Sequence, residues 1–273
     1  MVNNQSKYRY YDNYNTKIYD TYKKTREHHT KDYVLNLHKK YLFFTKKIYI
    51  WHAFELLDKF IDNSDPDITL PNSIHLFQTA ERIREDNKPE WMQVIGLIHD
   101  LGKMLYIKGC DEDGTSIKEQ WSLVGDTYIT GCKIPDSIVY SEFNTLNSDS
   151  NKYDELGIYT KHCGLDKCIF SFGHDEYLYQ LLQYNIRYNK DTKLKNLPEE
   201  AFYIIRYHSC YLWHKENEYT QFENDKDKKM KPIVQEFNAY DLYSKYNKIP
   251  NIQELKKYYS ELLLKYIGEY LYF

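Results

Sequence analysis

The sequence of 273 residues contains little glycine, little proline and few cysteines. Ten glycines and seven prolines leave few turn signals, and segments with the period-two alternation of strands are scarce, which disfavours an all-β architecture. The five cysteines are an odd number without a Cys-x-x-Cys spacing, which excludes an encoded disulfide framework or zinc–thiolate site. We therefore expect reduced thiols and a cytoplasmic location.

The chain also lacks long apolar runs and an excess of charge. No stretch approaches the roughly 20 apolar residues that span a bilayer, and residues 1–5 lack the apolar run of a signal peptide. The 37 basic and 40 acidic residues give a net charge of −3, which provides no electrostatic footprint for nucleic acid or an anionic membrane. We expect a small-molecule partner, no nucleic-acid or membrane partner, and a monomer, since no coiled-coil heptad is visible.

The sequence does contain many windows in which apolar residues recur every three or four positions, the spacing of amphipathic helices. We predict helices that begin after Pro71, with Ser73 as the N-cap, and at Pro89, Pro198 and Pro232. The predicted fold class is therefore all-α, and the absence of any recognisable linker favours a single domain.

Between the predicted helices lie polar segments. Residues 108–120, 144–154 and 215–231 are predicted surface loops because they are polar or densely charged. Residues 1–30 carry little apolar periodicity, which is typical of a segment that wraps over a core or is partly ordered. Residues 31–273 are predicted to form the helical catalytic domain.

Six ionisable residues interrupt the apolar, helix-patterned stretches. Such side chains rarely face a core unless something satisfies them, and imidazole with carboxylate is a ligand set that suits iron or manganese. Each residue alone is a weak signal, but together they provide ligands for two metal ions with open positions for substrate, water or dioxygen. Asp100, next to His99, is the natural bridging carboxylate. The predicted ligands are His75, His99, Asp100, His174, His208 and Asp241.

Lys103 follows His99 by four positions. On a helix these two side chains share a face, so we expect the ammonium to reach a substrate oxygen beside the metal and to favour its alkoxide form. Lys103 and Asp100 are the predicted catalytic residues.

Seven separated segments resemble the signature segments of the myo-inositol oxygenase family, in the same order and over a match that runs from about residue 9 to the C-terminus. They are SIHLFQTAE (73–81), GLIHDLGK (96–103), VGDT (124–127), HCGLD (162–166), GHDEY (173–177), RYHS (206–209) and EFNAYDLY (236–243). The resemblance implies a helical bundle similar to the HD-domain fold. It also implies ring cleavage of myo-inositol with dioxygen to D-glucuronate and water, the first step of inositol catabolism, at a mixed-valent Fe(II)/Fe(III) centre.

The resemblance further implies roles for individual residues. His75, His99 and Asp241 would bind one iron, His174 and His208 the other, and Asp100 would bridge them. The implied substrate contacts are Arg9, Asp62, Asn63, Ser64, Lys103, Gly125, Asp126, His208 and Ser209.

Two other classes of function stay open at this point. A metal-dependent phosphohydrolase of the HD superfamily needs cations aimed at a phosphate, and of the nearby Lys103, Arg206, Arg82 and Arg84 only Lys103 is predicted to face the metals. An interaction protein that has lost its activity is the third class, and the presence of all six ligands argues against it.

Overall fold

The structure is a computed structural model that describes residues 16–62, 64, 71–243 and 249–273. Helices dominate these residues, which confirms the all-α prediction. The helices are α1 (Thr16–His28), α2 (Lys31–Tyr41), α3 (Ile50–Leu57), α4 (Asn72–Glu85), α5 (Glu90–Ile98), α6 (His174–Tyr188), α7 (Glu199–Tyr207), α8 (Tyr211–His214), α9 (Asp225–Tyr243) and α10 (Ile252–Tyr266).

Short elements join these helices. Strands β1 (Lys47–Tyr49) and β4 (Tyr270–Tyr272) form one antiparallel pair, and β2 (Ile129–Thr130) and β3 (Ile169–Phe170) form another. The 3₁₀ helices are Leu101–Ile107, Asp111–Asp113, Ser141–Leu146, Leu165–Lys167 and Leu194–Asn196. The predicted loops 108–120 and 144–154 contain no α-helix or strand, as expected, but Thr115 and Asn147 within them are buried, so the prediction that they lie at the surface holds only in part. Among the described residues, no helix is both long and apolar enough to cross a lipid bilayer.

The core lies between five helices that contact one another. Helix α4 contacts α5 and α9, and α7 contacts α5, α6 and α9. Gly96 allows the close approach of α4 and α5, because an added Cβ would lie 3.0 Å from the Cα of Ala80. Every methylene at such a crossing would push the helices apart. The close crossing brings His75 of α4 and His99, just after α5, to a ring separation of 5.4 Å.

Helix α1 lies within the segment predicted as a cover. It packs against the 3₁₀ helix Ser141–Leu146, where Ile18 and Tyr22 form a small apolar cluster with Tyr140 and Phe143, separate from the main core. The division into an N-terminal segment, 1–30, and a catalytic domain, 31–273, stays a prediction.

The cap of α4 differs from the prediction. The helix begins at Asn72, so Ser73 lies inside its first turn. Asp58, which follows α3, accepts hydrogen bonds from the N–H and the hydroxyl of Ser73, both at 2.9 Å. The prediction of Ser73 as the N-cap is wrong because a carboxylate from another helix supplies the acceptor that the exposed N–H groups of a helix start require.

The prediction that Pro232 opens a helix is also wrong. Helix α9 begins at Asp225 and contains Pro232. Asn224 Oδ1 accepts from the N–H of Asp227 and Asp227 Oδ2 accepts from the N–H of Asn224, both at 3.0 Å, which is the reciprocal arrangement of a capping box. The predicted loop 215–231 therefore ends in helix, and its Asp227 is fully buried.

Helix α5 ends earlier than predicted. Its last residue is Ile98, His99 is the C-cap, and the chain continues from Leu101 as a 3₁₀ helix. The expectation that His99 and Lys103 share one α-helical face is therefore wrong. Side chains three residues apart eclipse each other in a 3₁₀ helix, so Lys103 is aligned with Asp100 instead.

Candidate metal centre

All six predicted ligands are buried and meet at the ends of helices. His75 lies in the first turns of α4, His99 and Asp100 lie between α5 and the following 3₁₀ helix, and His174 begins α6. The C-cap of α7 is His208, and Asp241 lies in the last turn of α9. Helix ends leave the backbone free to turn, so five separate segments can direct side chains to one point.

The side chains form two groups that share Asp100. In one, ligand atoms of His75, His99 and Asp100 lie within 4.8 Å of one another; in the other, those of Asp100, His174 and His208 do. The two carboxylate oxygens of Asp100 face different groups, with Oδ2 3.7 Å from His99 Nε2 and Oδ1 3.3 Å from His174 Nε2. A carboxylate placed in this way can bridge two metal ions.

Asp241 joins the first group. Its Oδ1 lies 2.8 Å from His75 Nε2 and 3.4 Å from His99 Nε2. Burial would raise the pKa of Asp241, but hydrogen bonds from His75 and His99 hold it well below its ordinary value. Burial alone would lower the pKa of His99, but the Asp100 and Asp241 carboxylates raise it. These carboxylates thus favour positive charge at this point of the core.

Backbone carbonyls orient three of the four imidazoles. The Nδ1 atom lies 3.0 Å from the carbonyl oxygen of Gly96 in His99, 3.0 Å from that of Leu123 in His174 and 3.1 Å from that of Ile205 in His208. Because a carbonyl oxygen only accepts, Nδ1 carries a hydrogen in all three rings, and Nε2 is the nitrogen that each ring directs to the centre. This is the arrangement that outer-sphere partners impose on metal-binding histidines.

The second group of side chains fits a cation. His174 Nε2 and His208 Nε2 are 3.2 Å apart, and both are acceptors once Nδ1 holds the hydrogen. Burial lowers the pKa of both rings, and with the neighbouring His174 and His99 it lowers the pKa of His208 to about 3. Since a shared proton is disfavoured, the donor set fits a metal ion, and the nitrogen and oxygen ligands suit iron or manganese better than softer metals.

Lys103 lies at the edge of this centre and is itself buried. Its Nζ donates to Asp62 Oδ2 at 2.8 Å and to Asp100 Oδ2 at 2.9 Å. Burial would lower the pKa of Lys103, but the two carboxylates raise it above its ordinary value; conversely, Lys103 lowers the pKa of both carboxyls against the effect of burial. The ammonium therefore stays charged between two carboxylates.

The structure brings several of the predicted substrate contacts to this edge. The N–H and hydroxyl of Ser64 both lie 2.8 Å from Asp62 Oδ1, and the hydroxyl of Ser209 lies 3.4 Å from His174 Nε2. The N–H of Thr127 donates to the carbonyl of Ser209 at 3.0 Å, which ties the Gly125–Asp126 segment to the centre. Arg9 and Asn63 lie outside the described residues.

Asp126 contacts α1. Its Oδ1 accepts from the Tyr22 hydroxyl at 3.0 Å, and its side chain lines a cavity of about 160 Å³ with Tyr211 and Lys215. Sequence reasoning missed Tyr22, which brings α1 to this segment from 104 residues away, and no local pattern signals such a pairing.

Gly102 is a second residue that sequence reasoning missed. An added Cβ would lie 1.8 Å from the carbonyl oxygen of His174, so only glycine lets the 3₁₀ helix pass the start of α6. The spacing Asp100-x-Gly102-Lys103 carried the signal, since a glycine inside a helical pattern is less stable than alanine and so points to a packing reason.

Together, the fold and the site define a helical metalloprotein class: a bundle whose buried histidines and carboxylates can hold two metal ions bridged by one aspartate. Comparisons with known proteins then identify the family. A sequence model described as myo-inositol oxygenase matches residues 15–273.

Individual relatives agree with this match. The chain is 41% identical to inositol oxygenase of Pongo abelii over 92% of this chain and 84% of the relative, and 40% identical to that of Homo sapiens over the same shares. It is 40% identical to inositol oxygenase of Dictyostelium discoideum over 97% of this chain and 89% of the relative. The chain belongs to the myo-inositol oxygenase family, a family of oxygenases, and the family and the buried histidine–aspartate group together indicate a metal cofactor.

Proposed function

We propose that this chain cleaves the ring of myo-inositol with dioxygen, giving D-glucuronate and water. The observation that carries the proposal is the position of Asp100, whose two oxygens face two separate groups of metal-ligand side chains. Family membership supports the substrate and the reaction. The four electrons that reduce dioxygen all come from the substrate, so no external reductant is consumed in a turnover.

We assign His75, His99 and Asp241 to one iron and His174 and His208 to the other, with Asp100 shared. When bound, the two irons in a mixed-valent Fe(II)/Fe(III) state would supply the one-electron chemistry that a dioxygen co-substrate needs. The carbonyl-held Nδ1 hydrogens keep the nitrogen ligands fixed before the metal arrives.

Lys103 acts on the substrate oxygen nearest Asp100. Two of its three N–H groups donate to Asp62 and Asp100, which leaves the third without a partner among the described residues. A charged ammonium in a buried site stabilises an alkoxide over a hydroxyl, so Lys103 favours loss of the hydroxyl proton. Because both carboxylates are already paired with it, the ammonium is positioned before substrate binds.

The hydroxyls of the ring require several polar partners. We propose that Asp62, Ser64 and Ser209, which lie around Lys103 and His174, orient the hydroxyls that do not react. Gly125 and Asp126 would contact the substrate from the side of α1. We assign Arg9 and Asn63 the same kind of role from the family resemblance alone. A polyol with a hydroxyl on every carbon matches a pocket with this density of donors and acceptors.

The phosphohydrolase alternative loses support in the geometry. Arg206 donates to Glu176 at 2.7 Å, and the side chains of Arg82 and Arg84 are 48% and 41% exposed on α4. Within the described residues, this leaves Lys103, already held by two carboxylates, as the one cation among those four that faces the centre.

The test is oxygen uptake by the iron-loaded, partly reduced protein in the presence of myo-inositol, with an assay for glucuronate. We expect one dioxygen consumed for each glucuronate formed, and a loss of at least about 100-fold in the Asp100→Ala variant, with less bound iron. Uptake without glucuronate, or two bound irons with no uptake, would refute the proposal and direct the search to phosphoester substrates with other divalent metals.

A cytoplasmic location and a monomeric state complete the proposal. Both rest on the sequence composition, and the second is checked by sedimentation of the purified chain over a range of concentrations.

A further inference from the structure

A second cavity, of about 310 Å³, is lined by residues of the 3₁₀ helix that carries Lys103, but not by Lys103 itself. Its walls come from β1 and the residues before it, from that 3₁₀ helix and from α6. The lining is mostly apolar and includes Phe43, Ile48, Met104, Ile107, Tyr177 and Phe273. This size and this lining are typical of small-molecule sites, which pair apolar walls with a few polar groups.

The rim of the cavity exposes apolar surface. Phe43 is 55% exposed and Ile107 is 37% exposed, and both line the cavity. Exposing a large apolar side chain to water is unfavourable in free energy. Contiguous exposed apolar surface around a cavity indicates a ligand site more often than scattered apolar residues do. A ligand with an apolar part would cover both side chains.

One cation dominates the polar character of the cavity. Lys108 Nζ donates to the carbonyl of Phe43 at 2.8 Å and lies 4.9 Å from the ring centres of Phe43 and Phe44 and 5.2 Å from that of Tyr177. The second lysine of the lining is Lys46. Neither lysine forms an ion pair with an aspartate or glutamate in the part of the chain that the structure describes.

Burial is the effect in this cavity that acts against the charge of Lys108. Burial lowers the pKa of Lys108 to about 8, and within the described residues no carboxylate acts against this effect. Lys103 differs, because two carboxylates beside it raise its pKa. Lys108 has no such counter-charge among the described residues. An anion in the cavity would provide the absent counter-charge, whereas a neutral or cationic ligand would not.

We propose that this cavity binds a small carboxylate with an apolar tail. The carboxylate accepts from Lys108 Nζ at the cavity wall, and the tail covers Phe43, Ile48 and Ile107. The site is separate from the metal centre and does not depend on the proposed reaction. Its occupant contacts Met104 and Ile107, which belong to the same 3₁₀ helix as Lys103.

The probe is octanoate, titrated calorimetrically into the full chain at pH 7, with octanamide as the neutral match of equal tail length. We expect one octanoate per chain and an affinity for octanamide at least tenfold weaker, since a hydrogen bond to a charged partner is the stronger kind. No binding of octanoate up to millimolar concentration, or equal binding of the two compounds, would overturn the proposal.

Three variants locate the site. Lys108→Gln removes the cation and should weaken octanoate binding about tenfold. Ile107→Glu places a competing carboxylate at an exposed rim position, where it should not disturb folding, and should weaken binding at least as much. Lys118→Gln, at a side chain that is 79% exposed on the next loop, should leave the affinity unchanged. Octanoate binding that survives both cavity substitutions places the ligand elsewhere and refutes the inference.

Discussion

Two clusters in this molecule place a lysine against a buried aspartate. They differ in whether the protein itself supplies a hydrogen-bond or ionic partner for every polar atom of the cluster. At the metal centre, Lys103 is shared by Asp62 and Asp100. In the loop after the 3₁₀ helix Leu101–Ile107, the carboxylate of Asp113 accepts hydrogen bonds from Lys40 Nζ and from the Tyr41 hydroxyl, both at 2.7 Å.

The loop cluster is closed. The other oxygen of Asp113 accepts from the hydroxyl of Thr115 at 2.5 Å, so both carboxylate oxygens have donors from the protein. Lys40 is 51% exposed and keeps part of its hydration. Such a network holds the loop against α2 and leaves no position for a ligand.

The central cluster is open. It combines Asp100 and Asp241 with four imidazoles, and the Nε2 atoms of two of these, His174 and His208, face each other at 3.2 Å. Acceptors that face acceptors in a buried site are unfavourable unless a cation joins them. This difference shows that buried polar atoms without a partner from the protein identify a functional site better than the presence of charged residues does.

The largest effect on stability should come from Lys103→Met. This variant leaves Asp62 and Asp100 buried without their ammonium, which should cost about 3–5 kcal/mol of the free energy of unfolding of the metal-free protein. The measurement is urea unfolding. Lys24→Met, which breaks a partly exposed pair with Glu119, should cost less than about 1 kcal/mol. If both variants lose equally little free energy of unfolding, the charges of Lys103, Asp62 and Asp100 are less buried than this structure indicates.

Gly102→Ala should follow, with a loss of about 3 kcal/mol, because the new Cβ meets the backbone carbonyl of His174 and one of the two segments must move. Metal content should fall with stability, since His174 begins the displaced helix. Gly173→Ala is the matched control: its added Cβ meets a side-chain oxygen of Asp175 at 3.0 Å, and its φ of −160° suits any residue. Full metal content in the Gly102→Ala variant would contradict the close approach.

Asp113→Asn tests the closed cluster. The amide keeps one acceptor oxygen and loses the charge that pairs with Lys40, which should cost about 2 kcal/mol by thermal unfolding. Metal content and oxygen uptake should stay at the level of the unsubstituted chain, because the cluster contacts none of the six candidate ligands. A fall in metal content without a fall in stability would remove the distinction between the two clusters.

The smallest effect concerns the start of α4, which carries His75. Asp58→Ala removes the acceptor for the Ser73 N–H and should cost about 1 kcal/mol, whereas Ser73→Ala removes only a hydroxyl contact and should cost about half as much. Chemical denaturation of the two variants decides between them. A larger loss of unfolding free energy in Ser73→Ala than in Asp58→Ala would indicate that Ser73, and not Asp58, caps α4.

The local sequence predicted much of the fold because helix periodicity and proline positions are local signals. The starts after Pro71, Pro89 and Pro198 are confirmed to within a residue or two. The prediction of a helix start at Pro232 failed because a reciprocal pair of polar side chains, Asn224 and Asp227, caps the helix at its earlier start.

The sequence by itself determined the set of candidate ligands, since six ionisable residues in apolar, helix-patterned segments have few other uses in a core. It also determined the family, through motifs that keep their order along the chain. Only the tertiary structure decided that Asp100 is shared by two groups, that Lys103 pairs with Asp100 instead of lying beside His99, and that Asp58 caps α4. These contacts depend on where one helix ends and how closely another approaches, and packing between distant segments sets both.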